Sequence, residues 1–493
     1  MMDKFMSWME RYILPVAGKI GSQKHLVALR DSFIGTMPAT MAGSIALMIN
    51  AIIRDLPAQF IDGYDYTQIP VINELVGING YMWNGTIAIA GLIFAFSWGY
   101  NLAKAYKVNE LAGAIVSLAA LIQGIGFAAT GTVNVAQGEL GDKAIQALTD
   151  AGSVVATVEV VDPVTKAVTL FDSVQNGAWG WLNLNHLNGN AFFTAMIIGF
   201  VAVSIFAFLM NKNITIKLPE QVPPAVSKAF AAIIPATAAM YFIALFNFVF
   251  LKLTDMLFID AVQKYIAEPL MGLTQGFFAI ALITLAVQVF WFFGIHGPNV
   301  LAPILEGVYG QGLLINQSIL EAGYAGKKGT PAVLAAIEDG KAFMWTRGSF
   351  DAFSWFGGSG GTIVLILAIL IFSKRADYLT MGKLSLGPGI FNINEPIMFG
   401  LPIVLNPILF IPFLLAPVVS VAIGYFATAA GLVAPVSQAV TWVTPPLLLS
   451  FLATGADWRA PIVTLVAMIA SFIIWAPFVI AANKMDPSMT EDN

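Results

Sequence analysis

Long apolar stretches with almost no charge recur along the chain and restrict what it can fold into. A helix needs about 20 such residues to cross a hydrocarbon core of about 30 Å. Charged residues make up 11% of the chain, against roughly 25% in an ordinary soluble domain. We therefore predict an all-α polytopic membrane protein with about ten transmembrane helices. The predicted spans are 31–53, 82–103, 109–128, 190–210, 229–251, 275–296, 351–373, 403–425, 433–453 and 460–482.

The positions of lysine and arginine predict how the chain is oriented. Basic residues cluster within 1–30 and recur after alternate predicted spans, at 104–107 and 212–228. Cytoplasmic loops carry an excess of positive side chains. We expect a cytoplasmic N-terminus, with residues 1–30 as an amphipathic lead-in and 484–493 as a cytoplasmic tail.

Residues 131–185 interrupt the membrane pattern. They are rich in Asp, Glu, Gly, Thr and Val and contain alternating runs such as Val154–Val160. Alternation of this kind is typical of strands, and Asp162-Pro163 is a turn signal. We predict a small extracytoplasmic insertion with a β-hairpin around Asp162-Pro163. A disordered acidic loop is the alternative.

Glu395 is the strongest candidate for a functional residue. It lies in the apolar segment 391–400, which follows the Gly-Pro-Gly sequence at 387–389. Irregular backbone at membrane depth is tolerated only where it lines a cavity or is buried in protein, so we predict a re-entrant hairpin here. Because an intramembrane carboxylate is costly, Glu395 is expected to bind ligand hydroxyl groups, with Asn392 and Asn394 as further donors and acceptors. The alternative is a glutamate satisfied by the helix N-terminus that the following proline opens.

His296 is the second candidate and ends an aromatic-rich apolar segment that contains Trp291. Glycines at 294 and 297 flank it closely. Glycine lets backbone approach a ligand, and a neutral imidazole donates and accepts at once. We predict a ligand contact, with a core or helix-capping histidine as the alternative.

Small and polar residues mark two further candidate positions. Gly358 and Ser359 lie in the glycine-rich cluster 354–362, which lacks the lysine and the preceding strand of a nucleotide-binding loop. This cluster serves either close helix packing or ligand contact. Asn84, followed by Gly85, forms a polar break at the start of a predicted helix, where it either caps the helix or contacts ligand.

Some kinds of chemistry are excluded or not expected. The 493 residues contain no cysteine, which rules out disulfides and thiolate chemistry on them. His, Asp and Glu lack metal-ligand spacing within the apolar segments, so we expect no metal and no cofactor. Without a basic run interleaved with aromatic residues, nucleic acid is not an expected partner. We expect membrane lipid, a neutral small molecule and a soluble protein as partners.

Several short motifs, taken in order, resemble those of a known family over nearly the whole chain. The family is the lactose/cellobiose (diacetylchitobiose) type of IIC permease of the bacterial phosphotransferase system. The motifs are Pro15–Gly21, Arg30–Ile34, Lys217–Lys228, Gly294–Gly297, Phe356–Gly360 and Asn394–Ile397. The insertion at 131–185 is longer than the resemblance leads us to expect.

The resemblance implies a permease of the bacterial inner (plasma) membrane that takes a disaccharide, cellobiose or diacetylchitobiose. The Asn-Glu-Pro and Gly-Ile-His-Gly elements are similar to the family's sugar-contacting residues. Glu395 and His296 would thus be sugar ligands, and Glu395 a candidate general base during phosphoryl transfer. The predicted sugar contacts are Glu395, His296, Asn394, Asn392, Gly358, Ser359 and Asn84.

The resemblance also implies an assembly. Residues 31–251 would form the N-terminal scaffold and dimerisation domain of a homodimer. Residues 252–483 would form a C-terminal transport domain with re-entrant hairpins, which moves in an elevator-like shift. In this family the phosphoryl donor is a phosphocysteine on a IIB protein that a IIA protein charges. Since these residues contain no cysteine, we expect separate IIB and IIA chains.

Two rival functions use the same residues. In a proton-coupled sugar symporter, Glu395 would carry the proton, as intramembrane carboxylates do in many transporters. In a self-contained membrane enzyme, Glu395 and His296 would act as acid and base. Neither alternative explains the family motifs.

Overall fold

The computed structural model describes residues 23–483, apart from 56, 59, 60, 62, 137, 138, 152, 162–167, 220, 402 and 404–406. Most of the predicted lead-in and the whole predicted tail at 484–493 lie outside the described residues. The motif at Pro15–Gly21 lies outside them as well.

Helices make up most of the described chain. In chain order they are α1 Lys24–Asn50, α2 Pro70–Asn84, α3 Ala90–Ala105, α4 Glu110–Gln123, α5 Asp142–Asp150, α6 Phe192–Asn211, α7 Pro224–Thr254, α8 Phe258–Val262, α9 Glu268–Leu273, α10 Phe277–Phe292, α11 Gly297–Val300, α12 Ala302–Ile304, α13 Gly310–Ala322, α14 Thr330–Glu338, α15 Arg347–Phe353, α16 Thr362–Phe372, α17 Ala376–Ile390, α18 Glu395–Gly400, α19 Pro407–Ala429, α20 Pro446–Ala453 and α21 Arg459–Ala482. Wider π-helical turns occur at Ala51–Asp55, Gln263–Ala267 and Leu305–Tyr309, and 3₁₀ turns at Tyr66–Gln68, Ile87–Ile89, Leu184–His186 and Gly189–Ala191.

Six helical stretches of the described chain are long and apolar enough to cross a membrane. They are Lys24–Arg54, Pro70–Ala105, Gly189–Asn211, Pro224–Thr254, Leu409–Ala429 and Arg459–Ala482. A seventh results if Phe258–Leu273 and Phe277–Phe292, bent by 75° at their junction, form one broken span. The apolar helices α4 and α16 are shorter. The prediction of a helical, polytopic membrane protein is confirmed.

Some predicted spans differ from the helices observed. The prediction of one helix over 433–453 is wrong, because only α20 is helical there and residues 430–445 are irregular. Pro445 and Pro446 start α20 and lack the N–H groups that a longer helix would use. The predicted span 351–373 is two helices, α15 and α16, separated by a glycine-rich break.

In the structure, the predicted re-entrant hairpin consists of two helices joined by a short turn. α17 continues through Pro388, ends at Ile390, and is followed by α18 from Glu395. The break thus lies at 391–394, slightly later than the Gly-Pro-Gly sequence that predicted it. This shift places Asn392 and Asn394 in the turn.

The insertion after α4 contains a three-stranded antiparallel sheet, β1 Ala128–Ala136, β2 Val154–Val161 and β3 Val168–Trp179. The strand order is β1-β3-β2. Val161 pairs with Val168, so β2 and β3 form the predicted hairpin. The connecting residues 162–167, including Asp162-Pro163, lie outside the described residues. The alternation of apolar and polar residues, as at Val154–Val160, therefore corresponds to strands, and the alternative of a disordered loop is wrong for these residues.

Small residues bring α3 and α4 together. A side-chain carbon added at Gly99 would overlap the carbonyl oxygen of Gly113 and the Cβ of Ser117. Close backbone approach through glycine is common between helices in membranes. The rings of Phe33, Phe94 and Phe192 stack on one another and join α1, α3 and α6.

Two main hydrophobic cores follow the chain order. The larger is built from buried residues between Ile280 and Ala482. A second lies between Ala28 and Ile259, with Leu314 added from the C-terminal half. The predicted domain boundary at 251/252 lies close to this division, and the roles assigned to the two domains stay predictions.

We predict that Gly99→Ala destabilises the protein, because the added methyl group has no space between α3 and α4. Overpacking of this kind costs about 1 to 3 kcal/mol. Gly77→Ala in α2 is the matched control, since nothing lies within 4 Å of its added carbon. Alanine should stabilise that helix by up to about 1 kcal/mol. Melting temperatures in detergent should fall for Gly99→Ala only, and equal values for both variants would contradict the packing argument.

Candidate functional site

A cavity of about 460 Å³ lies between α1 and the C-terminal half of the chain. Its volume falls within the range of about 300 to 1,000 Å³ that is typical of small-molecule sites. α1 contributes Arg30, Phe33, Thr36 and Thr40. The opposite side is formed by residues near the breaks after α10, before α15, before α16, before α18 and before α20. Irregular backbone at these breaks thus surrounds the space.

The structure brings most of the sequence-predicted candidates to this cavity. They are His296, Gly358, Ser359, Asn392, Asn394 and Glu395. Asn84 does not line it. Asn84 is exposed at the last residue of α2, and the predicted helix start is instead a break between α2 and α3.

The side chain of Asn392 holds three breaks together. Its oxygen accepts from the Gly357 N–H at 2.7 Å, and its nitrogen donates to the carbonyls of Trp442 at 2.6 Å and Thr444 at 2.8 Å. Asn392 has a φ of 61°, a left-handed conformation that asparagine adopts more readily than most residues. Its donors are used within the protein, so its main role here is to fix the backbone around the cavity.

Gly358 lets the break before α16 approach the turn before α18. It has a φ of 93°, and an added Cβ would lie 2.8 Å from the Asn392 carbonyl and from the Asn394 side chain. The Asn394 nitrogen donates to the Ser359 carbonyl at 3.0 Å. The Asn394 side-chain oxygen and the Ser359 hydroxyl have no hydrogen-bond partner within the described chain and belong to residues that line the cavity. These two groups are available to a ligand.

Glu395 presents an unpaired carboxylate to the cavity. It is the first residue of α18, is exposed, and makes no ion pair or hydrogen bond with any described residue. No described N–H of the helix N-terminus donates to it, so any stabilisation by α18 comes from the helix dipole alone. A carboxylate accepts hydrogen bonds only, so Glu395 supplies an acceptor.

His296 is fixed at the start of α11. Its Nδ1 accepts from the Asn299 N–H at 3.2 Å, and its ring lies 4.7 Å from that of Trp291 between centroids. A neutral imidazole that accepts at Nδ1 carries its proton on Nε2. His296 is thus both the helix cap of the alternative interpretation and a residue that can donate from Nε2 into the cavity.

A partly buried charge cluster in the cavity was not recognised from the sequence. Arg347 donates from Nε to Glu306 and from Nη1 to Asp351, both at 2.7 Å. Its side chain is 16% exposed, and its guanidinium lies 4.9 Å from the centre of the Trp355 ring. Arg347 and Asp351 are four residues apart in an apolar segment, a spacing that signals a helical ion pair.

Aromatic side chains and one further arginine also line the cavity. Trp291 and Trp355 are buried, whereas Trp442 is 42% exposed. Arg30 pairs with its neighbour Asp31 at 2.7 Å. Within the described ranges, no group of three or more His, Asp or Glu side chains is arranged to hold a metal ion.

We predict that Arg347→Met strongly destabilises the protein, since it leaves two carboxylates without their partner. Leaving a largely shielded polar group without its hydrogen-bond partner costs about 1 to 3 kcal/mol. Lys341→Met is the control, because Lys341 pairs with Glu268 at 3.8 Å and their side chains are 57% and 43% exposed. Such exposed pairs contribute about 0 to 1 kcal/mol. If thermal unfolding in detergent shows equal losses for both variants, the Glu306–Arg347–Asp351 cluster is not structural.

Comparison with known proteins identifies the family. Residues 30–417 match the family model described as phosphotransferase system, EIIC. The chain is 48% identical to the cellobiose-specific EIIC component of Lactococcus lactis subsp. lactis, over 98% of this chain and 99% of the relative. It is 29% identical to the lactose-specific EIICB component of Staphylococcus haemolyticus, over 97% of this chain and 70% of the relative.

A solved structure is similar over the whole length. The crystal structure of the transporter ChbC, the IIC component of the N,N'-diacetylchitobiose-specific phosphotransferase system, matches with a TM-score of 0.78 and 30% sequence identity. The match covers 99% of this chain and 100% of that one. Together with the motifs in sequence and the cavity they form, these similarities show that the chain belongs to the EIIC family of the phosphotransferase system.

Proposed function

We propose that this EIIC permease binds cellobiose in the cavity between α1 and the C-terminal half. The observation that carries the proposal is the convergence of Glu395, His296, Asn394 and Ser359 on one cavity from three separate breaks. Acceptor and donor groups of this kind match sugar hydroxyls, which both donate and accept. The half-exposed ring of Trp442 offers an apolar surface to a sugar ring.

The two best-placed groups have complementary roles. The unpaired carboxylate of Glu395 accepts the hydrogen of a sugar hydroxyl, and Nε2–H of His296 donates to a neighbouring oxygen. During phosphoryl transfer the oxygen of that sugar hydroxyl bonds to the phosphorus atom of the phosphorylated partner protein. The proton of the hydroxyl passes to Glu395, which acts as the general base. The bond between the phosphorus and the donor's leaving atom breaks in the same transfer.

Cellobiose is the favoured substrate among the disaccharides of related proteins. The cellobiose-specific relative shares 48% identity, whereas the diacetylchitobiose transporter shares 30%. Diacetylchitobiose is the second candidate because its transporter matches over the full length.

We infer that the phosphoryl donor is an EIIB component, charged by an EIIA protein, that the 493 residues do not include. Our chain covers 70% of the EIICB relative, whose name includes the B component, and its 493 residues contain no cysteine to carry a phosphoryl group.

We further propose a cytoplasmic N-terminus and a homodimer formed through the scaffold at 31–251. In support, the basic residues cluster in alternate loops, and α7 exposes large apolar side chains such as Tyr241, Leu245 and Phe248.

We predict that Glu395→Gln weakens cellobiose binding about tenfold or more, since a hydrogen bond to a charged group contributes about 1.5 to 3 kcal/mol. The measurement is equilibrium binding of radiolabelled cellobiose, diacetylchitobiose and lactose to purified protein. Glu338→Gln at the end of α14 is the control, because Glu338 is exposed and does not line the cavity.

Each outcome of this experiment has a definite meaning. Saturable binding of cellobiose that is lost only in Glu395→Gln supports the proposal. Tighter binding of another disaccharide would overturn the substrate, and unchanged binding in Glu395→Gln would remove Glu395 from the sugar site. Accumulation of unmodified sugar at full rate in vesicles without EIIB would instead favour proton-coupled symport.

We predict that His296→Asn keeps the stability of the protein but loses most sugar binding. Asparagine is a good helix cap, whereas its short side chain cannot replace the Nε2 donor. His296→Ala should lose binding and also about 1 kcal/mol of stability, through loss of the cap. Melting temperature and cellobiose affinity of the two variants separate these roles. Normal affinity in His296→Asn would show that His296 is only a cap.

A further inference from the structure

A second cavity, of about 550 Å³, lies where the C-terminal ends of α3 and α6 meet. It is lined by Tyr106, Ser204, Phe208, Asn211 and Lys212 and shares no lining residue with the sugar cavity. The N-terminus of α1 reaches the same place, because His25 Nε2 lies 3.0 Å from the Tyr106 hydroxyl. Three helix ends thus surround this space.

A chain of hydrogen bonds fixes the polar side of the second cavity. The Tyr106 hydroxyl, bonded to His25, also lies 3.3 Å from the Ser204 hydroxyl. The Asn211 nitrogen donates to the Tyr106 carbonyl at 3.4 Å. The ring of Tyr106 is therefore held in place before any ligand binds.

Lysine side chains around this cavity carry uncompensated positive charge. Lys212 lines it, and the Lys24 ammonium lies 4.5 Å from the centre of the Tyr106 ring. Lys104 and Lys107 follow at the end of α3. Of the ion pairs in the described part of the chain, none involves these four lysines. The site therefore favours an anion.

The same cavity has an apolar side. Phe208 is 60% exposed, although it belongs to an almost wholly apolar helix. Tyrosine and lysine at the ends of spanning helices are typical of the membrane–water interface, where lysine places its charge among the headgroups. An anion that binds here thus has apolar surface directly beside it.

We propose that this second cavity binds the phosphate group of an anionic membrane lipid. Lys24 and Lys212 would contact the phosphate, and Phe208 would pack against the start of an acyl chain. Basic pockets between spanning helices are known to suit phosphate-bearing headgroups. A free phosphate ester shares the phosphate chemistry but not the apolar contact, so the lipid is the ligand that uses both sides.

The test is native mass spectrometry of the full chain in detergent, titrated with phosphatidylglycerol and, separately, with zwitterionic phosphatidylcholine. The wild type should retain phosphatidylglycerol in preference. The double variant Lys24→Gln/Lys212→Gln should bind it about thirtyfold more weakly, which corresponds to about 2 kcal/mol for the two lysines together. Lys24→Arg/Lys212→Arg should keep most of the affinity.

Lys252→Gln/Lys264→Gln is the matched control. Both lysines also lie over aromatic rings, at 5.6 Å and 5.2 Å from the centres of Phe248 and Tyr265, but neither lines the cavity. An equal loss in this control would show that only net charge matters and would overturn the proposed site. Displacement of the lipid by millimolar inorganic phosphate would overturn the lipid assignment, and no displacement would support it.

Discussion

The side-chain amide of Asn392 joins three irregular segments, and the shape of the cavity proposed for the sugar depends on it. The amide accepts from the Gly357 N–H and donates to the carbonyls of Trp442 and Thr444. Unpaired backbone groups inside a membrane protein are costly, so each broken helix needs a polar partner. An amide meets donors and acceptors at once, which neither a carboxylate nor an ammonium does. The breaks can therefore persist and surround a binding site.

The carboxylates that line the cavity differ in whether a positive charge lies next to them. Arg347 pairs with both Glu306 and Asp351 and reduces the net charge of these three side chains to −1, from the −2 that the two carboxylates would carry alone. Glu395 has no hydrogen-bond or ion-pair partner among the described residues, and it lines the same cavity as His296. A neutral sugar brings hydroxyl groups but no charge. Glu395 is thus the carboxylate that can accept hydrogen bonds from the hydroxyls of a sugar, and His296 of the same cavity can donate one.

The sequence predicted the membrane fold and the region of the site for a simple physical reason. Apolar windows mark spans, and the few polar groups within them stand out, as Glu395 and His296 do. Pairings over long separations do not show in this way. Glu306 is 41 residues from Arg347, so their contact could not be read from a local pattern. Hydropathy also missed the break at 430–445, because its residues are apolar although they are not helical.

The side chains on each side of the cavity form hydrogen bonds within their own side. On the C-terminal side they link separate breaks to one another, as between Asn394 and Ser359. On α1 the hydroxyls of Thr36 and Thr40 donate only to carbonyls of α1 itself. Relative movement at the cavity itself therefore breaks none of these hydrogen bonds. Contacts outside the cavity would have to break in such a movement, because Gln317 donates to the Ser44 hydroxyl on α1 and Arg54, just after α1, pairs with Glu321. An elevator-like shift of the C-terminal half would carry Glu395 and His296 together, which keeps donor and acceptor in register around a sugar.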